Sequence, residues 1–202
     1  AVSVEDAGLY LTEIGSDFLT QGRRAVEWIE QTLADAPASI LHIQGTYGAT
    51  AQLMRTKAIC DAVEAHDNWH FAGQLAGDYT ESKAYEEVRD FLKTGAKFNI
   101  LYSENDNMTF GAMRAMDEAG ITYGQGGEVC IVSFDAVRRA LTACMEGKIN
   151  LCVECNPLHG PRVVELIRQY LNGQEIPKQI FVEEQVFTPE DLTREFIAER
   201  EY

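Results

Sequence analysis

Short apolar runs alternate with longer amphipathic stretches along the whole chain. The runs that predict strands cover residues 8–14, 39–44, 70–76, 98–103, 129–134, 150–155 and 179–187. Helical periodicity occurs near residues 17–33, 50–65, 81–94, 106–119, 136–146 and 158–171. This alternation is typical of βαβ units, so we predict an α/β fold with a parallel sheet.

Several of the predicted strands are apolar at every position. The segments ILHI, FNILY and VCIVSF show no alternation between apolar and polar residues. A strand of this kind is buried on both faces, which occurs when helices cover both sides of a parallel sheet. The fold class is therefore a doubly wound parallel sheet.

Two helices carry clear start and stop signals. The helix over 106–119 has Asp106 as its candidate N-cap and Gly120 as its terminator. The helix over 158–171 has Pro161 in its first turn and ends at Asn172 and Gly173. Each has an apolar stripe, formed by Met108, Ala112, Ala115 and Met116 in the first and by Val163, Leu166, Ile167 and Tyr170 in the second. We interpret both stripes as core packing.

The charge balance argues against anionic partners. Seventeen basic and 32 acidic side chains give a formal net charge of -15, which repels a phosphate backbone or an anionic membrane. We therefore expect no nucleic-acid partner. No apolar run reaches the roughly 18 to 20 residues that span a bilayer. The N-terminal AVSVEDAGLY lacks the pattern of a signal peptide, while removal of a leader before Ala1 stays open.

The five cysteines do not form a regular framework. Cys152 and Cys155 make a CxxC that is followed by His159, so a metal or redox site has to be weighed. Positions three apart in a strand project to opposite faces and do not easily chelate one ion. We predict structural cysteines and neither a metal nor a cofactor.

Polar residues follow four of the predicted strands. They are Gln44 and Gly45, Asp78 and Tyr79, Asn105 and Asp106, and Asp135. The ligand crevice of an open parallel sheet lies outside the carboxyl ends of its strands, so these residues should share one rim. Arg55 lies on the helix after GTYGAT and is expected to point to the same rim.

This mixture of groups suits a sugar or another polyol, because each hydroxyl both donates and accepts a hydrogen bond. Asp135 would accept from hydroxyls, Arg55 would donate and keep Asp135 ionised, and Asn105 would bridge the two. Tyr79 would lie against an apolar sugar face. The alternative is that such residues only form turns or cap helices, and we assign this role to Asp106 and to Asp78.

Enzyme motifs are missing from the sequence. GTYGAT lacks the GK[ST] ending of a P-loop, and the sequence has no GxGxxG, HExxH or GxSxG. His42 lies in the middle of a strand, where we expect a core residue with its hydrogen bonds satisfied. We therefore predict a binding protein and no enzyme.

The stretches QGTYGAT, GDYTESKA and ENDNM, in this order and spacing, resemble the type I periplasmic sugar-binding proteins, and the galactofuranose-binding branch in particular. The ribose and galactofuranose-binding group also supplies the effector domains of LacI-type repressors. The resemblance implies that Arg55, Asn105 and Asp135 hydrogen-bond a sugar, with Tyr79 packed nearby.

Ribose-type members of this family have a Gln near the position of Cys155, and this chain has none there. Glu154 is the candidate contact in its place, and a solvated carboxylate at the end of a strand is the alternative.

The resemblance also implies two lobes joined by three crossovers. Residues 1–15 would hold the last strand of a truncated N-terminal lobe, residues 16–156 the complete C-terminal ligand-binding lobe, and residues 157–202 a return segment of the N-terminal lobe plus a tail. We expect a fragment whose segment 158–187 packs against another copy, as in a homodimer, or lies in a position unlike that of the family.

The expected function is that of the solute-binding protein of an ABC-type sugar importer. Its partners would be a monosaccharide, galactofuranose-like or another furanose or pyranose, and an ABC permease. Such a receptor is periplasmic or extracellular, and a lipid anchor on the full-length protein stays open. The alternative is the sugar effector domain of a LacI-type regulator or sensor, which would be cytoplasmic.

Overall fold

The computed structural model describes residues 7–202, and the first six residues of the predicted segment 1–15 lie outside that range. The strands are β1 Glu13–Gly15, β2 Ala38–Gln44, β3 Trp69–Ala76, β4 Ile100–Ser103, β5 Cys130–Asp135, β6 Leu151–Glu154, β7 Gln179–Phe181 and β8 Val186–Phe187. The α-helices are α1 Phe18–Leu33, α2 Thr50–Ala65, α3 Glu81–Leu92, α4 Asp106–Glu118, α5 Arg138–Met145, α6 Gly160–Leu171 and α7 Arg194–Glu199. None of the helices over 7–202 is long and apolar enough to cross a membrane.

Six strands form the main sheet in the order β3-β2-β4-β5-β6-β8. The first five are parallel, and β8 pairs with β6 in the antiparallel direction. The chain moves from β2 outward to β3 and then returns to β4 on the other side of β2. This reversal creates a switch point between β2 and β4, where ligands bind in doubly wound folds. The predicted fold class is confirmed.

Each face of the main sheet has its own core. On one face, α1 and α2 pack together, and Ile29, Ile40 and Phe134 are buried there. On the other face, α3 and α4 pack together, and Leu101, Met108 and Met116 are buried. The apolar stripe of α4 is therefore core packing, as predicted.

The short strands β1 and β7 form a separate parallel two-stranded sheet. The small sheet and α6 are connected to the main sheet by three segments of the chain, residues 16–17, 155–159 and 182–185. We call these segments the three connections. The division into 1–15, 16–156 and 157–202 stays a prediction, and β8 and α7 in the last part pack on the main sheet.

The apolar stripe of α6 differs from its prediction. No residue of this helix is buried, and Val163, Ile167 and Tyr170 are 38%, 53% and 49% exposed. The prediction of core packing is wrong for the described residues, because a two-stranded sheet of three-residue strands offers little surface to cover a helix.

Three predicted boundaries are also wrong. The strand over 8–14 is a 3₁₀ helix at Ala7–Leu9 followed by β1, because within residues 7–202 β1 pairs with β7 alone and over three residues. The strand over 179–187 is two strands in different sheets. Asn105 caps α4 in place of Asp106, since its Oδ1 accepts from the N–H of Met108 at 2.9 Å.

Candidate functional site

Arg55 lies in the second turn of α2 and is 2% exposed. Its Nε and Nη2 donate to Oε1 of Gln21 at 3.0 and 2.7 Å, and its Nη1 donates to the carbonyl of Glu104. The ring of Phe134 lies under the guanidinium, with Cζ 4.7 Å from the ring centroid. Arg55 is thus held from α1, from the end of β4 and from β5 at once.

Asp135 ends β5 beside Arg55, and its Oδ1 lies 3.5 Å from Nη2. Its backbone has φ of +105°, a region that L-residues rarely adopt and that is found at functional sites. The side chain is 31% exposed, yet loss of hydration raises the pKa of Asp135 to about 6, against the opposing effect of Arg55. Asp135 is therefore a carboxylate that solvent and a ligand can reach.

A second carboxylate lies beneath Asp135. Asp106 is 1% exposed and accepts from Oγ of Ser133 at 2.5 Å and from the N–H of Val137 at 2.9 Å. Burial, followed by the charge of Asp135, raises the pKa of Asp106 to about 8. Asp106 therefore fixes the loop that follows β5, a role that its assignment as a turn former or cap did not specify.

Asn105 and Tyr79 complete the rim predicted from the strand ends. Nδ2 of Asn105 lies 3.5 Å from the carbonyl of Tyr79, and the amide of Asn105 is near enough to Asp135 to lower the pKa of that carboxyl. The ring of Tyr79 packs on Gly45, where an added Cβ would lie 2.0 Å from its Cζ. Burial raises the pKa of Tyr79 to about 12, so its hydroxyl stays protonated. The structure thus brings together Arg55, Asn105, Asp135 and Tyr79 at the switch point.

Glu154 does not join this group through a free carboxylate. It is 4% exposed, its Oε1 accepts from Arg200 at 2.7 Å and from the hydroxyl of Tyr202, and its Oε2 accepts from the N–H of Gln185 at 2.8 Å. The alternative of a solvated carboxylate is wrong, because the C-terminal tail covers Glu154, and the contact of Glu154 with a ligand stays a prediction. Glu154 holds the C-terminal segment to β6.

The most deeply buried acid of the rim is one that the sequence did not single out. Glu104 follows β4, is 0% exposed and accepts from His42 at 3.0 Å, from the N–H of Gly45 at 2.7 Å and from Oγ1 of Thr56 at 2.6 Å. The expectation for His42 is confirmed, since it is buried and hydrogen-bonded. The available signal was a charged residue placed directly between an apolar strand and a helix cap.

Gln21 is the other residue that the sequence did not reveal. It lies on α1 among Gly22, Ala25 and Ile29 on the buried side and is 1% exposed. A polar residue on an otherwise apolar stripe was the available signal.

An open cavity of about 1000 Å³ lies between α1, α2 and the small sheet, and none of the four rim residues is part of its lining. Its lining includes Phe18, Met54 and Cys155, and Cζ of Arg55 lies 5.4 Å from the centroid of the Phe18 ring. A ligand there would meet the ring of Phe18 together with the polar side chains of Ser16 and Asn156. Both kinds of surface occur in sites that bind small molecules with polar and apolar faces.

The cysteines play separate parts. Cys152 is buried in the main sheet, whereas Sγ of Cys155 lies 3.5 Å from Oγ of Ser16 in the first connection. All five cysteines are free thiols. Over residues 7–202, no group of three or more His, Cys, Asp or Glu side chains is placed to hold a metal ion.

Comparison with known proteins places the chain in a family. The profile of the periplasmic binding protein domain matches residues 2–175. The galactofuranose-binding protein YtfQ of Escherichia coli is 26% identical over 203 residues, which is 99% of this chain and 63% of that protein.

Two solved structures have closely similar folds. The binding protein of the arabinose ABC transporter from Shewanella sp. ANA-3, bound to L-arabinofuranose, is 33% identical with a TM-score of 0.86, over 93% of this chain and 62% of that one. A Mycobacterium smegmatis protein in complex with β-D-fucofuranose is 32% identical with a TM-score of 0.86, over 94% and 62%. The chain spans a little under two thirds of the length of each of these relatives. The matched residues and the doubly wound sheet together make this chain a member of the periplasmic binding protein domain family.

Proposed function

We propose that the chain forms one wall of a monosaccharide-binding cleft in the solute receptor of an ABC-type sugar importer. The observation that carries this proposal is the convergence of Arg55, Asn105 and Asp135 at the switch point of the sheet. The one N–H of Arg55 that has no partner among the described residues, the amide of Asn105 and the partly exposed carboxylate of Asp135 match the paired donor and acceptor character of sugar hydroxyls.

The proposed ligand class is a furanose. Two similar proteins are bound to furanose sugars, and a third is a galactofuranose-binding protein. The rim offers few free polar atoms, because four of the five N–H donors of Arg55 have partners among the described residues. A compact ring with hydroxyls directed at Asp135 and Asn105 suits this limited set. The chain would act as a receptor, with no catalytic step.

The receptor would act in the periplasm or outside the cell, with or without a lipid anchor, and deliver its sugar to an ABC permease. Another protein surface would cover the exposed apolar stripe of α6, and a second copy of this chain could supply that surface in a homodimer. The LacI-type effector domain is the alternative, and it would use the same sugar wall.

The test is a thermal-shift and calorimetric screen of the protein against L-arabinose, D-galactose, D-fucose, D-ribose and D-fructose. Asp135→Asn and Arg55→Lys should each abolish the shift given by the stabilising sugar. Asp61→Asn is the matched control, since Asp61 is 53% exposed and pairs with Lys57 on the outer face of α2. A sugar whose shift survives both rim substitutions would contradict the proposed site.

Size-exclusion chromatography with light scattering tests the cover on α6. A Val163→Glu, Ile167→Glu variant should be monomeric if a second copy binds there. If parent and variant have the same molar mass, α6 does not form a homodimer interface.

A further inference from the structure

One carboxylate joins all three connections between the two sheets. Glu184 lies in the third connection and is 9% exposed. Its Oε1 accepts from Oγ of Ser16 in the first connection at 2.5 Å and from the N–H of Asn156 in the second at 2.8 Å. Nη1 of Arg24 donates to the carbonyl of Glu184, which fixes its backbone as well. A change in any connection therefore changes the surroundings of this carboxylate.

One side chain, that of Gln21, connects the carboxylate of Glu184 to Arg55 of the polar rim. Oε2 of Glu184 accepts from Nε2 of Gln21 at 2.7 Å, and Oε1 of Gln21 accepts the two hydrogen bonds from Arg55. The amide of Gln21 therefore has a fixed orientation, with its oxygen toward Arg55 and its nitrogen toward Glu184. Gln21, Arg55 and Glu184 are all buried.

We propose that Gln21 and Glu184 are positioning residues that tie the orientation of Arg55 to the three connections. This inference rests on the proposed function, because it makes the sugar wall depend on how the two sheets are joined. Neither residue touches the ligand in this scheme. Each acts through Arg55, because Glu184 fixes the orientation of the Gln21 amide and that amide fixes the orientation of the guanidinium.

The hydrogen-bond directions give Glu184→Gln a defined consequence. The N–H of Asn156 can only donate, so the oxygen of the new amide must stay toward it. The NH₂ group then faces Nε2 of Gln21, and two donors oppose each other. If Gln21 turns its amide over, its own NH₂ faces the N–H groups of Arg55. Either arrangement leaves buried donors without acceptors, which is unfavourable.

Exchanging the two side chains removes the conflict. In the double variant Gln21→Glu, Glu184→Gln, the new glutamate accepts from Arg55 with one oxygen and from the amide at 184 with the other. The amide oxygen at 184 still accepts from Asn156, and the net charge equals that of the parent. Gln21→Glu alone instead sets two carboxylates against each other, at a position where the present hydrogen bond is 2.7 Å long.

The first readout needs no ligand. The Nε–H resonance of Arg55, assigned by its loss in Arg55→Lys, should exchange slowly with solvent in the parent. It should exchange at least about tenfold faster in Glu184→Gln and return close to the parent rate in the double variant. In urea unfolding, Glu184→Gln should lower the midpoint in the parent background and raise it in the Gln21→Glu background.

The second readout is the affinity for L-arabinose by calorimetry. We expect Glu184→Gln to weaken binding by about tenfold and the double variant to return to within about threefold of the parent. Glu183→Gln is the matched control, because it removes the same charge from an exposed neighbour in the same connection. It should leave Arg55 exchange and sugar affinity unchanged.

The outcomes separate the two proposals. Additive effects of the two substitutions on unfolding and on Arg55 exchange would overturn the positioning role, whatever the sugar result. A parent protein that binds none of the five sugars, combined with the expected exchange pattern, would contradict the proposed function and leave the Gln21–Glu184 pairing supported.

Discussion

Nη2 of Arg55 and Oδ1 of Asp135 face each other at 3.5 Å, which is longer than a good charge-assisted hydrogen bond. The guanidinium is almost fully buried, whereas the carboxylate is 31% exposed. The short contacts of Arg55 go to Gln21 and to the carbonyl of Glu104. Asp135 is therefore held loosely by its partner and keeps acceptor capacity for a ligand.

Arg55→Lys should destabilise the protein by about 2–4 kcal/mol, because an ammonium cannot reproduce the fork that binds Gln21 and leaves buried acceptors unpaired. Urea unfolding measures this change. The control is Arg114→Lys, whose side chain is 56% exposed and pairs with Glu118 along α4. Equal effects of the two substitutions would show that the fork adds nothing to stability.

The stability of the protein should fall as the pH rises from about 4 to 8. Burial raises the folded-state pKa of Asp135 to about 6 and that of Asp106 to about 8, above the ordinary value of 3.8. A raised carboxyl pKa means that the folded state holds its proton more tightly, so this stabilisation is complete below the unfolded pKa and is lost as the pH passes the folded one.

Urea unfolding at pH 5 and pH 8 tests this expectation. Asp106→Asn should reduce the difference between the two pH values, since an amide can still accept from Val137 and donate to Ser133. A variant whose stability changes with pH as steeply as that of the parent would rule out Asp106 as a source.

Glu104→Ala should cost about 3–5 kcal/mol, because the substitution leaves His42, the N–H of Gly45 and the hydroxyl of Thr56 without their shared acceptor. Chemical denaturation gives the value. Glu118→Ala, at an exposed site on α4, should change stability by less than about 1 kcal/mol. If the two losses are alike, the buried network does not stabilise the fold.

Gly45→Ala should destabilise the protein by about 1–3 kcal/mol, because the new methyl would overlap the ring of Tyr79. Tyr79→Ala should relieve that conflict, so the double variant should be more stable than the sum of the single effects predicts. A double-mutant cycle by thermal unfolding measures the coupling. Additive losses would mean that the ring moves aside at no cost.

Much of the fold was predictable from periodicity. The strands formed by ILHI, FNILY and VCIVSF were identified because residues buried on both faces have a simple apolar signature, and Gly120, with φ of +71°, ends α4 as expected. Strand pairing beyond neighbouring βαβ units has no such local signature. This is why the sequence did not separate β7 from β8.

The rim was predictable where a polar residue directly follows a strand. Asn105 and Asp135 fall in that class, whereas Arg55 was expected from its place on the helix that follows such a strand end, and the structure brings the three together. Glu154 has the same signature, but the tail segment carrying Arg200 and Tyr202 occupies its oxygens. That contact depends on a sequence separation of more than forty residues, which no local pattern encodes.

The antiparallel pairing of β8 with β6 has a consequence for synthesis of the chain. Until Val186 and Phe187 emerge from the ribosome, β6 presents unpaired backbone groups along its free edge. The core beside it is also incomplete before Leu192 and Ile197 are made. Strand β8 therefore covers the edge of β6 only late in synthesis. Nascent chains that stall before β8 should aggregate edge to edge unless a chaperone binds them.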